Sequence, residues 1–150
     1  MNNSSEKQLS DLVRSLLNVV KKEVEVKIPC VITSVTSRKK VTVRPLIKIV
    51  DQQGNTYSRE VIEGVPVFTG GAGDMLISFP VKVGDVGWLE ASDRDLSLFL
   101  QSFSETEPST KRMHSFSDAV FVPDIMTNFT IAEEDADAVV MQNRDGSVKI

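Results

Sequence analysis

The sequence predicts a mainly β fold in which an N-terminal amphipathic helix precedes a small antiparallel barrel. Three observations predict it. Apolar residues recur at three- and four-residue steps as far as Lys22, and the apolar period then changes to two. Several short apolar runs follow between Val24 and Ser92. The connections between these runs are too short for the crossover helices that parallel strands require, so antiparallel pairing is expected.

Composition narrows the functional classes. A chain of 150 residues fits one domain with its own core. Its 17 Lys and Arg against 21 Asp and Glu give a net charge of -4, which disfavours general nucleic-acid binding because that affinity comes from neutralising phosphates. The chain has a single cysteine, Cys30, which excludes an internal disulfide. We predict that Cys30 is a small buried apolar residue. With neither a signal peptide nor an apolar run near the roughly 20 residues of a bilayer span, we expect a soluble protein made in the cytoplasm.

The first predicted element is a helix from Ser5 to Lys22. Ser5 and Gln8 have the spacing of a capping box. The apolar stripe of the helix contains Leu9, Leu12, Val13, Leu16, Leu17 and Val20. Two partners for this stripe remain open: the barrel of the same domain, or another copy or a neighbouring protein.

Five strands are predicted after the helix. Pro45 interrupts the second of them and predicts a bulge or a sheet edge there, because proline cannot donate to a ladder. Five short antiparallel strands favour a barrel of the OB type. The predicted strands are Val24–Val35, Val41–Val50, Tyr57–Val67, Met75–Phe79 and Val86–Ser92.

Two connecting segments have distinct patterns. The glycine-rich TGGAGD at Thr69–Asp74 lacks the GK[ST] ending of a phosphate loop and joins strand to strand, which predicts a hairpin. After Ser92, DRDLSLFLQSF predicts either a short helix or a turn and strand. Its apolar side chains, Leu96, Phe99 and Leu100, are expected to cover one opening of the barrel.

The only histidine, His114, lies close to Ser115, Ser117 and Asp118. Neighbouring side chains of an extended chain rarely face each other as a Ser-His-Asp triad requires, and no GxSxG is present. One histidine and one cysteine are too few for a four-ligand zinc site of nitrogen and sulfur. We therefore predict a structural role for His114, no catalytic, cofactor or metal residues, and no enzymatic activity.

Three segments then carry a resemblance. They are GVPVF at Gly64–Phe68, ISFPVKVGDVGWLEASDRDLSLFL at Ile77–Leu100 and RMHSFSDAVFVPDI at Arg112–Ile125. Their ordered VPV, P-x-K-x-GD-x-G, RD and H-S-x-SDA-x-F-x-P motifs resemble the N-terminal OB-fold domain of central spike proteins from contractile-tailed bacteriophages. The H-S-x-SDA-x-F-x-P segment is the most specific of these motifs.

The resemblance implies a non-enzymatic homotrimer at the tip of a tail baseplate, assembled in the host cytoplasm as part of the virion. In that family the OB domain sits on a hub protein and leads into a triple-stranded β-helix that pierces the host outer envelope. The family's point can carry an iron ion held by histidines. This chain contains no His-x-His, so no residue is assigned to iron, and a separate spike-tip protein is a further expected partner.

These observations divide the chain into residues 1–23 as the N-terminal helix, 24–125 as the OB-type domain and 126–150 as a C-terminal extension. In the extension, alternating apolar residues around an Asp145–Gly146 turn predict strands that begin a trimeric β-helix or prism, the alternative being an ordinary hairpin on the barrel. The predicted trimer contacts are Val139, Met141, Val148 and Ile150. The predicted hub contacts, on a helix that could instead bundle near the threefold axis, are Leu9, Leu12, Val13, Leu16 and Leu17.

Besides a hydrolase using His114, which the requirements of a triad disfavour, two other functions compete with a spike. An OB-type nucleic-acid-binding protein would need a basic groove with aromatic platforms, but the chain has one Trp, one Tyr and only a short basic turn at Arg38–Lys40. The prediction is therefore no nucleic-acid partner. A non-piercing adaptor within the same baseplate is the second alternative, and the sequence separates it poorly from a spike.

Overall fold

The computed structural model describes residues 3–126 and 129–148. Two helices and nine strands are present in these ranges, together with a 3-10 turn at Glu133–Asp135. The helices are α1 (Asn3–Glu23) and α2 (Phe99–Ser102). The strands are β1 (Lys27–Ser37), β2 (Lys40–Pro45), β3 (Ile49–Val50), β4 (Thr56–Tyr57), β5 (Ile62–Pro66), β6 (Gly70–Ala72), β7 (Met75–Ile77), β8 (Val86–Ser92) and β9 (Ser115–Pro123).

Five of the strands form a nearly closed antiparallel barrel. Their order in the sheet is β5-β2-β1-β8-β9, and every neighbouring pair is antiparallel. The two edges meet where Val67 pairs with Phe121 in a parallel bridge. The amide of Phe68 donates to the carbonyl of Phe121 at 2.8 Å, which ties the end of β5 to β9. The predicted mainly β fold, a helix followed by a five-stranded barrel, is confirmed at this level.

The barrel encloses one apolar core. Strands β1 and β2 alternate between inward apolar and outward residues, so a period of two places one face of each strand in the interior. Phe121 is completely buried, and Cys30 beside it is buried as predicted. The core residues are Ile28, Cys30, Ile32, Val41, Val43, Val65, Val67, Leu89, Ala119 and Phe121.

The membership of the barrel differs from the prediction at one strand. Met75–Phe79 was expected to be the fourth strand, but β7 pairs only with β6 in a separate two-stranded hairpin. The fifth barrel strand is β9, which pairs with β8 along its length. The reason is burial: Ala119 and Phe121 of β9 alternate into the core, whereas Met75, Leu76 and Ile77 are consecutive exposed residues with no inward face.

The second and third predicted strands are each divided in two. Strand β2 ends at the buried Pro45, which has no amide to continue the ladder. The chain then forms a small β3–β4 hairpin. In its loop the Asp51 carboxylate accepts hydrogen bonds from the amides of Gln53 and Asn55 and from the hydroxyl of Tyr57. Only β5 of the predicted third strand belongs to the barrel.

Helix α1 lies close to its predicted bounds, and its stripe is exposed. The side chains predicted to form the stripe are all at least 46% exposed. In this structure the stripe is therefore not covered by the barrel of its own chain, which was one of the two open alternatives. Within residues 3–126 and 129–148, no helix is long and apolar enough to cross a membrane.

The described C-terminal residues form turns in place of the predicted strands. Gly146 donates to the carbonyl of Asn143 at 3.1 Å, so the predicted Asp145–Gly146 turn is present. Asn143 in turn donates to the carbonyl of Val148. No strand is assigned within residues 129–148. A strand that pairs only with strands of other chains cannot form its hydrogen bonds in a single chain. The predicted trimeric β-helix is therefore not seen in this single chain.

Candidate functional site

A buried polar network joins two of the motifs identified in the sequence. Asp95 of the RD motif and Asp118 of the SDA motif are 6% and 7% exposed. Arg112 binds Asp118 with two parallel hydrogen bonds, from Nε at 2.6 Å and from Nη2 at 2.9 Å. Its guanidinium also lies 3.5 Å from Asp95. The network fastens the segment after β8 to β9, so both aspartates have a structural explanation.

Hydrogen bonds keep Asp95 ionised. The side chain and amide of Ser97 and the hydroxyl of Thr110 all bind its carboxylate, the last at 2.7 Å. These bonds, with a smaller effect of Arg112, hold the pKa of Asp95 well below its ordinary value. The hydrogen bonds to Asp118 raise the pKa of Arg112 above its ordinary value. At neutral pH Asp95 and Arg112 are therefore charged, and each is bound by partners within the network.

The P-x-K-x-GD-x-G motif is also explained by local geometry. The Asp85 carboxylate accepts a hydrogen bond from the amide of Lys82 at 2.8 Å, which closes the turn. Gly84 has φ +92° in this turn, a conformation that favours glycine. At Gly87 an added Cβ would lie 2.6 Å from the ring of Phe121 and 2.4 Å from the carbonyl oxygen of Val122. The second glycine of the motif is required because the barrel is too tight for a side chain.

His114 does not assemble a triad with its neighbours. Its Nδ1 lies 3.4 Å from the Asp93 carboxylate and has no hydrogen-bond partner. The Ser115 hydroxyl instead accepts from the amide of Ser117 at 3.2 Å. His114 adopts φ +48° immediately before β9 begins. The structural or hydrogen-bonding role of His114 and the absence of enzymatic activity both stay predictions.

An open cleft lies where the C-terminal residues approach the barrel. Phe79, Pro80 and Ile125 contribute apolar surface, and Lys82, Asp124 and Arg144 contribute charges. The Asp124 carboxylate already accepts a hydrogen bond from the indole of Trp88 at 2.7 Å. The cleft therefore offers mixed surface without a convergent set of reactive groups. Among the described residues, no group of three or more His, Cys, Asp or Glu could hold a metal ion.

Among the described residues, the stripe of α1 is a long exposed apolar surface. All five predicted hub contacts, Leu9, Leu12, Val13, Leu16 and Leu17, lie on it, and the structure brings them together along one side of the helix. Val19 and Val20 extend the same surface and are also exposed. Contiguous apolar surface that stays in water usually marks an interface. The prediction of a contact surface here therefore has a structural basis, although its partner is not part of the structure.

A second apolar surface, which sequence reasoning missed, lies on the β6–β7 hairpin and its surroundings. Met75 and Leu76 are 82% and 69% exposed, and Phe68, Ile77 and Phe79 are also exposed. The sequence of this hairpin could have predicted its exposure. Three consecutive apolar residues opposite a run of glycines cannot alternate between core and solvent, so they indicate surface on a hairpin outside the barrel.

The predicted trimer contacts are far apart from the helix in sequence and are exposed wherever they are described. Val139 is 98% exposed, and Met141 and Val148 are also open to solvent. Ile150 lies outside the described residues. The alternative of a C-terminal hairpin packed on the barrel would bury these side chains, and the three that are described are not buried. Their role in a trimer stays a prediction.

Comparison with known proteins identifies the family. A family model described as the phage protein Gp138 N-terminal domain matches residues 28–124. The chain belongs to this family of phage proteins. No curated protein matches the chain. The predicted phage origin is thereby confirmed. The more specific role as a contractile-tail spike stays a prediction.

The residues matched by the Gp138 family model coincide with one structural unit of this chain. The matched range begins in β1 and ends one residue beyond β9, so it coincides with the barrel. The Asp95–Arg112–Asp118 network, the Asp85 turn and Gly87 all lie inside it. Helix α1 and the exposed Val139 and Met141 lie outside it. In this chain the family match therefore covers a scaffold, and the exposed apolar surfaces of α1 and the C-terminal residues flank that scaffold.

Proposed function

We propose that this chain is a structural component of a contractile phage tail, the central spike of the baseplate. In this proposal it docks on a hub protein as a homotrimer and helps to pierce the host envelope. The observation that carries the proposal is the position of the exposed apolar surfaces. They precede and follow a phage-family barrel in the sequence, at α1 and at Val139, Met141 and Val148. Exposed apolar surface in both flanking segments indicates contacts that only other chains can provide.

The barrel supports this proposal as a rigid collar of the OB type. Its strand order, β5-β2-β1-β8-β9, with parallel closure between Val67 and Phe121, gives a five-stranded barrel that is partly open. The Arg112 network and the Asp85 turn hold its connections with charged or backbone hydrogen bonds. Such cross-bracing resists local opening under load, because several bonds must break together.

The C-terminal residues are proposed to begin the shaft. Val139, Met141, Val148 and Ile150 would meet their copies about a threefold axis, where strands of three chains cover each other's apolar faces. Interchain pairing also removes the open strand edges that a single chain would expose. A separate tip protein would complete the shaft, and the chain itself is proposed to act without catalysis, metal or nucleic acid.

The N-terminal helix is proposed to be the attachment end. Glu25 lies two residues after the helix and accepts two hydrogen bonds from Arg59, at 2.7 and 2.6 Å. Arg59 also donates to the carbonyl of Ile47 at 2.8 Å. These contacts fasten the base of the helix to the barrel, so a load on the helix would pass into the collar.

Incorporation into tails tests this function. A phage that carries the chain without residues 5–22 should assemble tails with much less of the protein, while the purified barrel stays folded. Tail particles are isolated, and the protein is quantified by mass spectrometry relative to the tail tube. A matched variant, Asn18→Asp, changes a polar residue of the same helix and should be incorporated normally. Normal incorporation of the deletion would contradict the attachment role, and absence of the wild-type protein from tails would contradict the function.

A further inference from the structure

We propose that the stripe of α1 is covered by the same helix of two other copies, so that three helices form a parallel bundle above the barrels. This inference rests on the proposed threefold spike. It goes further by naming the occupant of a surface that could instead contact the hub. The pattern of the stripe, its width and its length carry it.

The stripe follows a heptad pattern. Leu9, Val13, Leu16 and Val20 are separated by steps of four, three and four, the spacing of alternating d and a positions. Every one of them is exposed. This spacing suits a helix that packs along another helix, because knobs of one enter holes of the other at each d and a layer.

The width of the stripe indicates more than two helices. Leu12 and Val19 occupy g positions and Leu17 occupies an e position, so the apolar surface extends to both sides of the seam. Valine at a with leucine at d also suits a two-stranded coil, but such a coil leaves e and g at its margin in water. A helix that contacts two neighbours covers both flanks. Three copies about one axis provide this geometry for every helix.

The opposite side of the helix is polar throughout the same turns. Positions b, c and f between Leu9 and Val20 are occupied by Asp11, Arg14, Ser15 and Asn18. All of these residues are exposed. A bundle would therefore bury one apolar side and leave a continuous hydrated exterior. A hub that enclosed the helix from all sides would gain nothing from this division.

The apolar surface of the β6–β7 hairpin is too short to be the occupant. The stripe from Leu9 to Val20 extends about 18 Å at 1.5 Å per residue. The β6–β7 hairpin has strands of three residues, about 10 Å at 3.3 Å per residue. Docking on the hairpin of another copy would leave part of the stripe in water, whereas a bundle of identical helices covers it from end to end.

Site-directed cross-linking of the full chain tests the bundle. Leu16→Cys places a thiol in the seam, and Asn18→Cys places one on the polar side of the same turn. The only native thiol, Cys30, is completely buried, and burial raises its pKa to about 12, so it does not compete in the folded protein. Each variant is treated at micromolar concentration with a short bis-maleimide, quenched and separated on a denaturing gel. Wild-type mass is measured in parallel by sedimentation equilibrium, and folding of each variant by Trp88 fluorescence.

The bundle predicts a trimeric mass and cross-linking of Leu16→Cys at least roughly tenfold faster than that of Asn18→Cys. The difference arises because assembled thiols meet at millimolar effective concentration. A trimer in which both variants cross-link equally slowly would overturn the bundle and leave the threefold spike standing. A dimeric or a monomeric mass would overturn both the bundle and the threefold spike. Slow cross-linking of a trimer whose Leu16→Cys form also fails to enter tails would assign the stripe to the hub instead.

Discussion

At the scale of single residues, the family motifs describe packing and bracing. Position 87 requires glycine because Phe121 fills the space that a side chain would need. Asp95 and Asp118 can be buried because Arg112, Ser97 and Thr110 bind their carboxylates. His114 and Ser115, which attract attention in the sequence, make separate local contacts. Residues that look chemical in the sequence are thus accounted for by the fold.

The glycine of the barrel gives the first prediction. Gly87→Ala should lower the free energy of unfolding by about 1–3 kcal/mol, because the new methyl group overlaps Phe121 and the backbone of Val122. Gly70→Ala is the matched control, since its Cβ would meet only a Phe68 ring carbon at 3.7 Å. That change should stay within about 1 kcal/mol. Urea unfolding followed by Trp88 fluorescence measures both, and equal effects would contradict the tight packing at Gly87.

The second prediction concerns pH. The lowered pKa of Asp95 means that its contribution to stability is complete above the ordinary value of 3.8 and is lost as the pH falls through the lowered value. Asp95→Asn should therefore destabilise the protein at pH 7, and the difference from wild type should shrink as the pH falls below about 4. Urea midpoints at a series of pH values measure it, with the exposed Asp74→Asn as control. A difference that stays constant down to pH 3 would rule out this role for the charge.

At the scale of elements, the barrel and the helix are independent in their stabilisation. The barrel has its own core, whereas the stripe of α1 is exposed from Leu9 to Val20. The helix is joined to the barrel through Glu25 and Arg59 and through the amide of Ala91, which donates to the carbonyl of Val26. These contacts all follow the helix in the chain, so they persist when the helix is removed.

The third prediction follows from this independence. Removing residues 5–22 should leave the urea midpoint of the barrel nearly unchanged, because no core residue lies on α1. Leu89→Ala, in contrast, should cost about 2–5 kcal/mol, because Leu89 is fully buried in the core. Trp88, the only tryptophan, reports barrel unfolding in both variants. A large loss of stability on removing the helix would contradict the independent stabilisation of the barrel.

Much of the fold could be predicted from period and turn signals. Helix α1 was predicted to within two residues at its start and one at its end, and β8 exactly, because each has a clear apolar period. The fifth barrel strand was missed. SFSDAVFVP attracted attention as a motif, although Ala119 and Phe121 alternate as inward residues should. Met75–Phe79 was predicted as a barrel strand because its residues are mostly apolar, but apolar residues that do not alternate with polar ones do not distinguish a core strand from an exposed hairpin.

The candidate surfaces were predicted unevenly for a related reason. The α1 stripe was visible because helical spacing gathers distant residues on one side. The Asp95–Arg112–Asp118 network depends on pairing between β8 and β9, which local patterns do not specify. The partners of the exposed surfaces lie outside this chain, so its sequence does not specify their geometry. The sequence therefore predicts which surfaces need a partner, but it does not identify that partner.

At the scale of the whole molecule, exposed apolar residues before and after a braced barrel in the sequence make assembly the central expectation. The fourth prediction addresses the proposed shaft. Val139→Asp should raise the dissociation constant of the trimer at least about tenfold, since one carboxylate per chain would enter an apolar contact. Ala138→Asp is the matched control, because neighbouring residues of a strand point to opposite sides. Sedimentation equilibrium measures both, and equal effects would remove Val139 from the interface.

Electron cryomicroscopy of intact phage particles with an epitope tag on this chain tests the central claim most directly. We predict tagged density at the tip of a contractile tail, on the tail axis, as three copies whose barrels surround that axis. Particles whose tips lack the tag, or whose tagged chain lies away from the axis or in other than three copies, would contradict the proposed spike.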